Sequence, residues 1–152
     1  MKIERATVLD AEGILALQKR AFRQEAELYG DYDIEPLTVT LEETRQEFKE
    51  ALVLKITGNG KIIGSVRANM NNGVCFVRKL IVDPEFQNRG YGAELMKAIQ
   101  GECRGCSRFE LFTGYKSKNN IHLYEKLGFV ITETKMLNDK VGMVHMVKEV
   151  KA

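Results

Sequence analysis

The stretch "LIVDPEFQNRGYGAELM", Leu80 to Met96, joins an apolar strand-like run to an amphipathic helix-like run through a turn that holds two glycines. A helix start leaves four backbone N–H groups unpaired and carries a partial positive charge, so it binds phosphate oxygens where no side chain blocks their approach. Gly90 and Gly92 remove that block, and Arg89 adds a basic side chain. An ordinary loop-to-helix turn uses glycine in the same way, so the turn by itself suggests an anion without naming one.

Reading outward, "VLKIT", the turn "GNGK" and "IIGSVRANM" form a hairpin, and "NNG" turns the chain into "VCFVRKLIV". Before them come a short strand over Ile3–Thr7 and a long helix capped by Asp10. The stripe of that helix is Ile14, Leu15, Leu17, Gln18, Ala21 and Phe22, and it ends near Tyr29 and Gly30. "GDYDIEPLTV" reads as a loop, and Thr40 with Glu43 is a capping box for a short helix to Phe48 or Lys49. After the glycine turn, periodicity predicts a helix over Gly90–Cys106, a strand "RFELFT", a helix over Asn119–Leu127 ended by Gly128, and the strands "FVITETKM" and "VGMVHMV". This order implies one domain over residues 1–152, an α/β (α+β) fold whose mixed sheet is covered by helices.

Two familiar phosphate patterns do not fit. A P-loop needs Gly-Lys followed by Ser or Thr, and Gly60–Lys61 is followed by Ile62 in a hairpin turn. The dinucleotide fingerprint would place Leu95 at its third glycine, with Glu110 as the downstream acid; "DPEFQNR" separates the strand from Gly90, and hairpins rather than a βαβ unit precede it. The pattern (Gln/Arg)-x-x-Gly-x-(Gly/Ala) is met by Gln87, Gly90 and Gly92, and "NNIHLYEKLGF" carries Tyr-x-x-x-Gly-Phe further on. With these two segments the chain resembles the GNAT acyltransferase superfamily, and the predicted order of elements from Met1 to Val150 matches that fold.

The resemblance implies a mainly antiparallel sheet of about seven strands, splayed at a cofactor cleft and flanked by about four helices. It implies acetyl-CoA as cosubstrate, direct transfer to an amine and no metal. Backbone N–H groups of Asn88, Arg89, Gly90, Tyr91, Gly92 and Ala93 would cradle the pyrophosphate after Gln87, with the Arg89 side chain contributing. Leu80, Ile81 and Val82 would flank the pantetheine arm in a cleft between "LIV" and "ELF", the Leu80 N–H facing the acetyl carbonyl and the oxyanion that develops there. Tyr124, by its motif position, would give a proton to the departing thiolate. Two positions depart from the family pattern: Ser117 stands seven before Tyr124, where an asparagine is common, and Asn120 replaces a small residue. Asn119 can cap the helix or contact the cofactor. A general base is not evident; Glu110, between Phe109 and Leu111, is a candidate as a partly buried carboxylate of raised pKa.

Charge bears on the acceptor. Residues 25–50 hold nine acids against Arg45 and Lys49, a net of −7 that leaves +9 elsewhere in a chain totalling +2. An acidic rim attracts a cationic amine while the basic remainder suits an anionic cofactor; solvated helix faces give the same count without function. Phe22, Tyr29 and Tyr32 are candidates for an apolar wall. The near balance of 23 basic and 21 acidic residues argues against nucleic-acid or membrane-surface binding. The start "MKIERATVLD" has no apolar signal-like run, and Cys75, Cys103 and Cys106 have no second ligand pair for zinc. These features suggest a soluble, cytoplasmic protein. The resemblance also leaves open a homodimer through the last strands, and a CoA-binding sensor module without catalysis.

Overall fold

A computed structural model describes residues 1–150. The chain runs through β1 (Lys2–Arg5), α1 (Ala11–Tyr29), α2 (Glu35–Thr38), α3 (Leu41–Glu47), β2 (Leu52–Gly58), β3 (Lys61–Asn71) and β4 (Val74–Val82). It continues through α4 (Tyr91–Glu102), β5 (Arg108–Gly114), α5 (Lys118–Lys126), β6 (Val130–Met136) and β7 (Gly142–Glu149). The strands form one sheet in the order β1-β2-β3-β4-β5-β7-β6, antiparallel everywhere except between β4 and β5. The seven-stranded mixed sheet expected from sequence is present, with five helices rather than about four.

Asn59–Gly60 and Asn72–Gly73 join the three hairpin strands, all four residues with positive φ (53°, 78°, 50° and 80°). Two-residue hairpin turns favour Asn-Gly for this reason. Alternate residues of a strand face opposite sides. On β3, Val66 and Ala68 join Leu95, Met96 and Ile99 of α4 in the main core. Burial of each of those α4 side chains contributes ~1.5–3 kcal/mol. Arg67 turns to the other face, where its guanidinium bonds to Glu47 of α3 and to Gln18 of α1. Thus α4 covers one face of the central strands, and α1 and α3 the other.

Several local expectations change. Asp10 does not cap α1: a 3-10 turn over Val8–Asp10 precedes the helix, and the Asp10 carboxylate accepts from Thr7 N at 2.9 Å and from Lys55 Nζ at 3.0 Å. The Thr40–Glu43 capping box forms as its sequence predicts. "GDYDIEPLTV" holds a one-turn helix, α2, started by Pro36 and tied to α1 by Gln18 Nε2 donating to Pro36 O. Helix α4 ends at Glu102, four residues early, because Cys103 leaves helical geometry and Gly105 turns the chain with φ 88°. The first residue before α5 is Ser117, so Asn119 lies inside that helix and is not its cap.

The sheet is incomplete at its centre. β4 and β5 pair only from Val74–Phe76 to Arg108–Glu110, although β5 pairs with β7 along its whole length. Beyond Phe76 the two strands part. An extra residue in β4 contributes: the register with β3 shifts between Ser65 and Arg67, and Lys79 has φ 55°. Such a bulge bends its strand and increases local twist. Lys79 and Leu80 therefore have no partner in either neighbouring strand.

Candidate active site

The divergence opens a cleft of about 560 Å³ that runs from β4 to the start of α4 and across to α5. Asp83 and Pro84 begin a 3-10 turn after β4, and Gln87 braces its end through Nε2, which donates to Val82 O at 3.1 Å and to Gln24 Oε1 at 3.2 Å. Asn88 and Gly90 then take positive φ, 64° and 87°. The second value disfavours any residue with a Cβ. Among the described residues, no protein acceptor meets the N–H groups of Asn88, Arg89, Gly90, Tyr91, Gly92 or Ala93, and Gly90 supplies no side-chain cap to α4. Six consecutive donors at the positive end of a 12-residue helix suit a polyanion, and a Cβ on Gly92 would stand 3.4 Å from Leu123, narrowing the floor of the cleft.

Leu80, Ile81, Val82, Gln87, Asn88, Gly90, Tyr91, Gly92, Ala93 and Asn119 all line this cleft. Arg89 is not among its walls. Its guanidinium lies 5.2 Å from the centroid of the Phe86 ring, which itself lines the cleft. Lys116 and Lys118 also face the cleft from the start of α5.

A second cavity of about 780 Å³ adjoins the first and extends over the exposed face of β3, β4 and β5 beneath the α1–α2 connection. Tyr124 lines it from α5. The ring is buried at 6 % exposure, and its hydroxyl has no protein partner among the described residues yet is not sealed off, which leaves it facing the cavity. Burial, then the charge of Glu25, pushes the phenol far above its ordinary value of 10.0, so it holds its proton. Tyr29 lies across from it and accepts a hydrogen bond from Lys116 N at 2.9 Å. A Cβ on Gly114 would overlap that hydroxyl, which accounts for glycine at the end of β5.

Glu110 also lines the second cavity, but its carboxylate differs from expectation. Burial works to raise its pKa, and hydrogen bonds from His145 Nε2 at 2.6 Å and Arg108 Nε at 2.9 Å more than offset this, so the pKa falls below the ordinary 4.5. The raised pKa anticipated for Glu110 is thus corrected. Of the nine acids in residues 25–50, Glu25, Asp31, Asp33 and Glu35 face this cavity. Glu43 caps α3, and Glu47 binds Arg67 and Arg78. The cations of the cavity, Arg78 and Lys79, are engaged by Glu47 and Glu35.

Sequence reasoning missed the Arg67 network, the Tyr29–Lys116 contact and the Glu25–Ser117 contact. Arg67 left one signal, a charged side chain in the middle of "IIGSVRANM" opposite Arg78 of the next strand. The other two join residues about ninety positions apart and left none.

Residues 12–129 match the model of the acetyltransferase (GNAT) family. The chain belongs to that family. Among its relatives are an uncharacterized N-acetyltransferase of Methanocaldococcus jannaschii, 34% identical over 101 residues, and the L-amino acid N-acyltransferase of Escherichia coli, 36% identical over 53 residues. The matches cover 60% and 34% of this chain, and span only 42% and 31% of those proteins. Similar solved folds include the ribosomal-protein-S18-alanine N-acetyltransferase of Escherichia coli (TM-score 0.82, 18% identity, 99% of this chain and 94% of that one). Another is the paiA N-acetyltransferase of Thermoplasma acidophilum in complex with coenzyme A (TM-score 0.81, 16% identity, 99% and 100%). At these identities the GNAT structures establish the fold.

Proposed function

We propose that this GNAT chain is an acetyl-CoA-dependent N-acetyltransferase that transfers acetyl directly to a primary amine on a cationic acceptor, a small molecule or a peptide. The observation that carries the reading is the join between two cavities at the parted strands. One ends on unpaired backbone donors, and the other is walled by five carboxylates and two engaged cations. Family membership and a coenzyme A complex of the same fold support the cosubstrate.

The residues of the first cleft fit a pyrophosphate. Asn88 to Ala93 supply donors at a helix N-terminus, and Lys116 and Lys118 add charge for further phosphate. Acetyl-CoA supplies an activated thioester when bound. Leu80 offers backbone free of both ladders to orient the acetyl carbonyl. Tyr124 holds a proton for the departing sulfur. Asp31 and Asp33 raise the local concentration of a cation. No helix among the described residues is long and apolar enough to cross a membrane, and three free thiols accord with a reducing compartment, so the reading places the enzyme in the cytoplasm.

Calorimetric titration with acetyl-CoA, with NAD and ATP as controls, tests the cosubstrate; a panel of diamines, amino acid amides and lysine peptides tests transfer. Selective acetyl-CoA binding with turnover of a cationic amine is expected. Absence of binding would sink the reading. Binding without turnover would instead favour a CoA-sensing module, which the engagement of Glu110 by Arg108 and His145 also suggests.

A further inference from the structure

Phe22, Glu25, Leu80 and Asn120 line both cavities, and Glu25 is the one among them that ionises. Phe22, Glu25 and Tyr29 are spaced three and four residues apart on α1, hence on one helix face, and that face looks onto the junction. Glu25 is held there from the opposite wall: its Oε2 accepts a hydrogen bond from Ser117 Oγ at 2.6 Å. Ser117 is the N-cap of α5, yet its hydroxyl makes no cap bond. Forgoing that bond leaves a helix-start donor without its usual side-chain acceptor, a local loss of stability. A local cost of this kind, placed where two cavities meet, is characteristic of a functional site.

Of the other four carboxylates of the acceptor cavity three are engaged elsewhere, and Asp33, whose carboxylate has no protein partner among the described residues, lines the second cavity but not the first. Glu110 is bonded to Arg108 and His145, Glu35 to Lys79 through both oxygens, and Asp31 accepts from Asp33 N. Glu25 Oε1 has no protein partner among the described residues, and the Glu25 charge is among the influences that raise both Tyr124 and Tyr29, after burial. It therefore acts on the two phenols that flank the junction.

We infer that Glu25 is the catalytic carboxylate that holds the acceptor ammonium where the clefts meet and takes its proton, an inference that rests on the acetyltransferase reading. One N–H bond of the ammonium breaks and an O–H bond forms on Glu25, leaving a neutral amine. The amine lone pair forms the C–N bond as the thioester C–S bond breaks, and the departing sulfur takes the Tyr124 proton. The surplus proton of the new amide nitrogen restores the phenol, and Glu25 releases its own to solvent.

Glu25→Gln keeps the shape and can still accept from Ser117. Using the best amine of the panel, with 1,4-diaminobutane as the first tried, kcat/KM is expected to fall about 100-fold. Acetyl-CoA affinity should stay within about threefold, while affinity for the same amine without acetyl-CoA falls about fivefold. Ser117→Ala, which releases the carboxylate without removing it, should lower kcat about tenfold. A Glu25→Gln enzyme within threefold of wild type in turnover and amine affinity overturns the inference and leaves the acetyltransferase reading intact. A wild-type chain that binds no acetyl-CoA, or acetylates no amine, overturns both. Should Glu25→Gln fail to fold, wild-type turnover by Ser117→Ala overturns the assignment.

Discussion

The two halves of the site are made of different material. The cofactor half is backbone: a helix start, a turn with positive φ at Asn88 and Gly90, and a strand that loses its neighbour after Phe76. The acceptor half is made of side chains from α1, α2, β4, β5 and α5 that meet only in the folded chain. Backbone donors serve any sequence that takes the conformation, so this half tolerates varied side chains but not a changed backbone. Side-chain carboxylates are changed one at a time, so on the proposed function substrate choice is set in the acceptor half.

The largest break in this comparison concerns what holds the acceptor half in place. Arg67 is 1 % exposed, its guanidinium bonded to Glu47 and Gln18; burial pushes its pKa down while Glu47 pushes it up. Glu47→Ala leaves that charge unpaired, and a loss of about 3 kcal/mol is expected in chemical denaturation. Arg67→Met with Glu47→Leu should recover most of it, because an apolar pair of similar volume needs no partner.

Next in size is Tyr124→Phe, which removes a proton without disturbing the backbone turn. Steady-state kinetics should show kcat lowered about 100-fold, with acetyl-CoA affinity within about threefold by calorimetry. Gly90→Ala should do the reverse, weakening acetyl-CoA about tenfold through the strain of a Cβ at φ 87° while leaving kcat at saturation near wild type. If both variants changed the same parameter, the division into two halves would be lost.

Smaller still is the surface field. Asp31→Asn with Asp33→Asn should raise the amine KM about fivefold at low salt, and the difference should shrink at high ionic strength. Glu110 has its own acid signature. Its folded pKa lies below 4.5, so its stabilising effect is full above that ordinary value and is lost as pH falls through the lowered one. Wild type and Glu110→Gln should therefore differ in unfolding free energy at neutral pH and converge in acid.

The same division decides what could be read from sequence. Gly90, Gly92 and the Tyr124–Gly128–Phe129 segment are local patterns, and they led to the family, the sheet and the cleft. Asn59–Gly60 and Asn72–Gly73 were legible because hairpin turns restrict φ. The Glu25–Ser117 contact was not, since neither residue's own segment points to the other and only the fold brings the two side chains to 2.6 Å. The stacking of Arg89 on Phe86 was not legible either, because nothing local in the turn says which way the basic side chain packs. Glu110 misled because apolar flanks suggest desolvation, while its partners lie on β7 and two residues back on its own strand.

The most direct test is an amide chemical-shift titration of the labelled protein with acetyl-CoA. The N–H signals of Asn88 to Ala93 should shift together and saturate with one affinity, while those of Asp31 to Glu35 move little until a cationic amine is added. Saturable acetyl-CoA binding that leaves the Asn88–Ala93 amides unmoved would contradict a cofactor site built from that backbone.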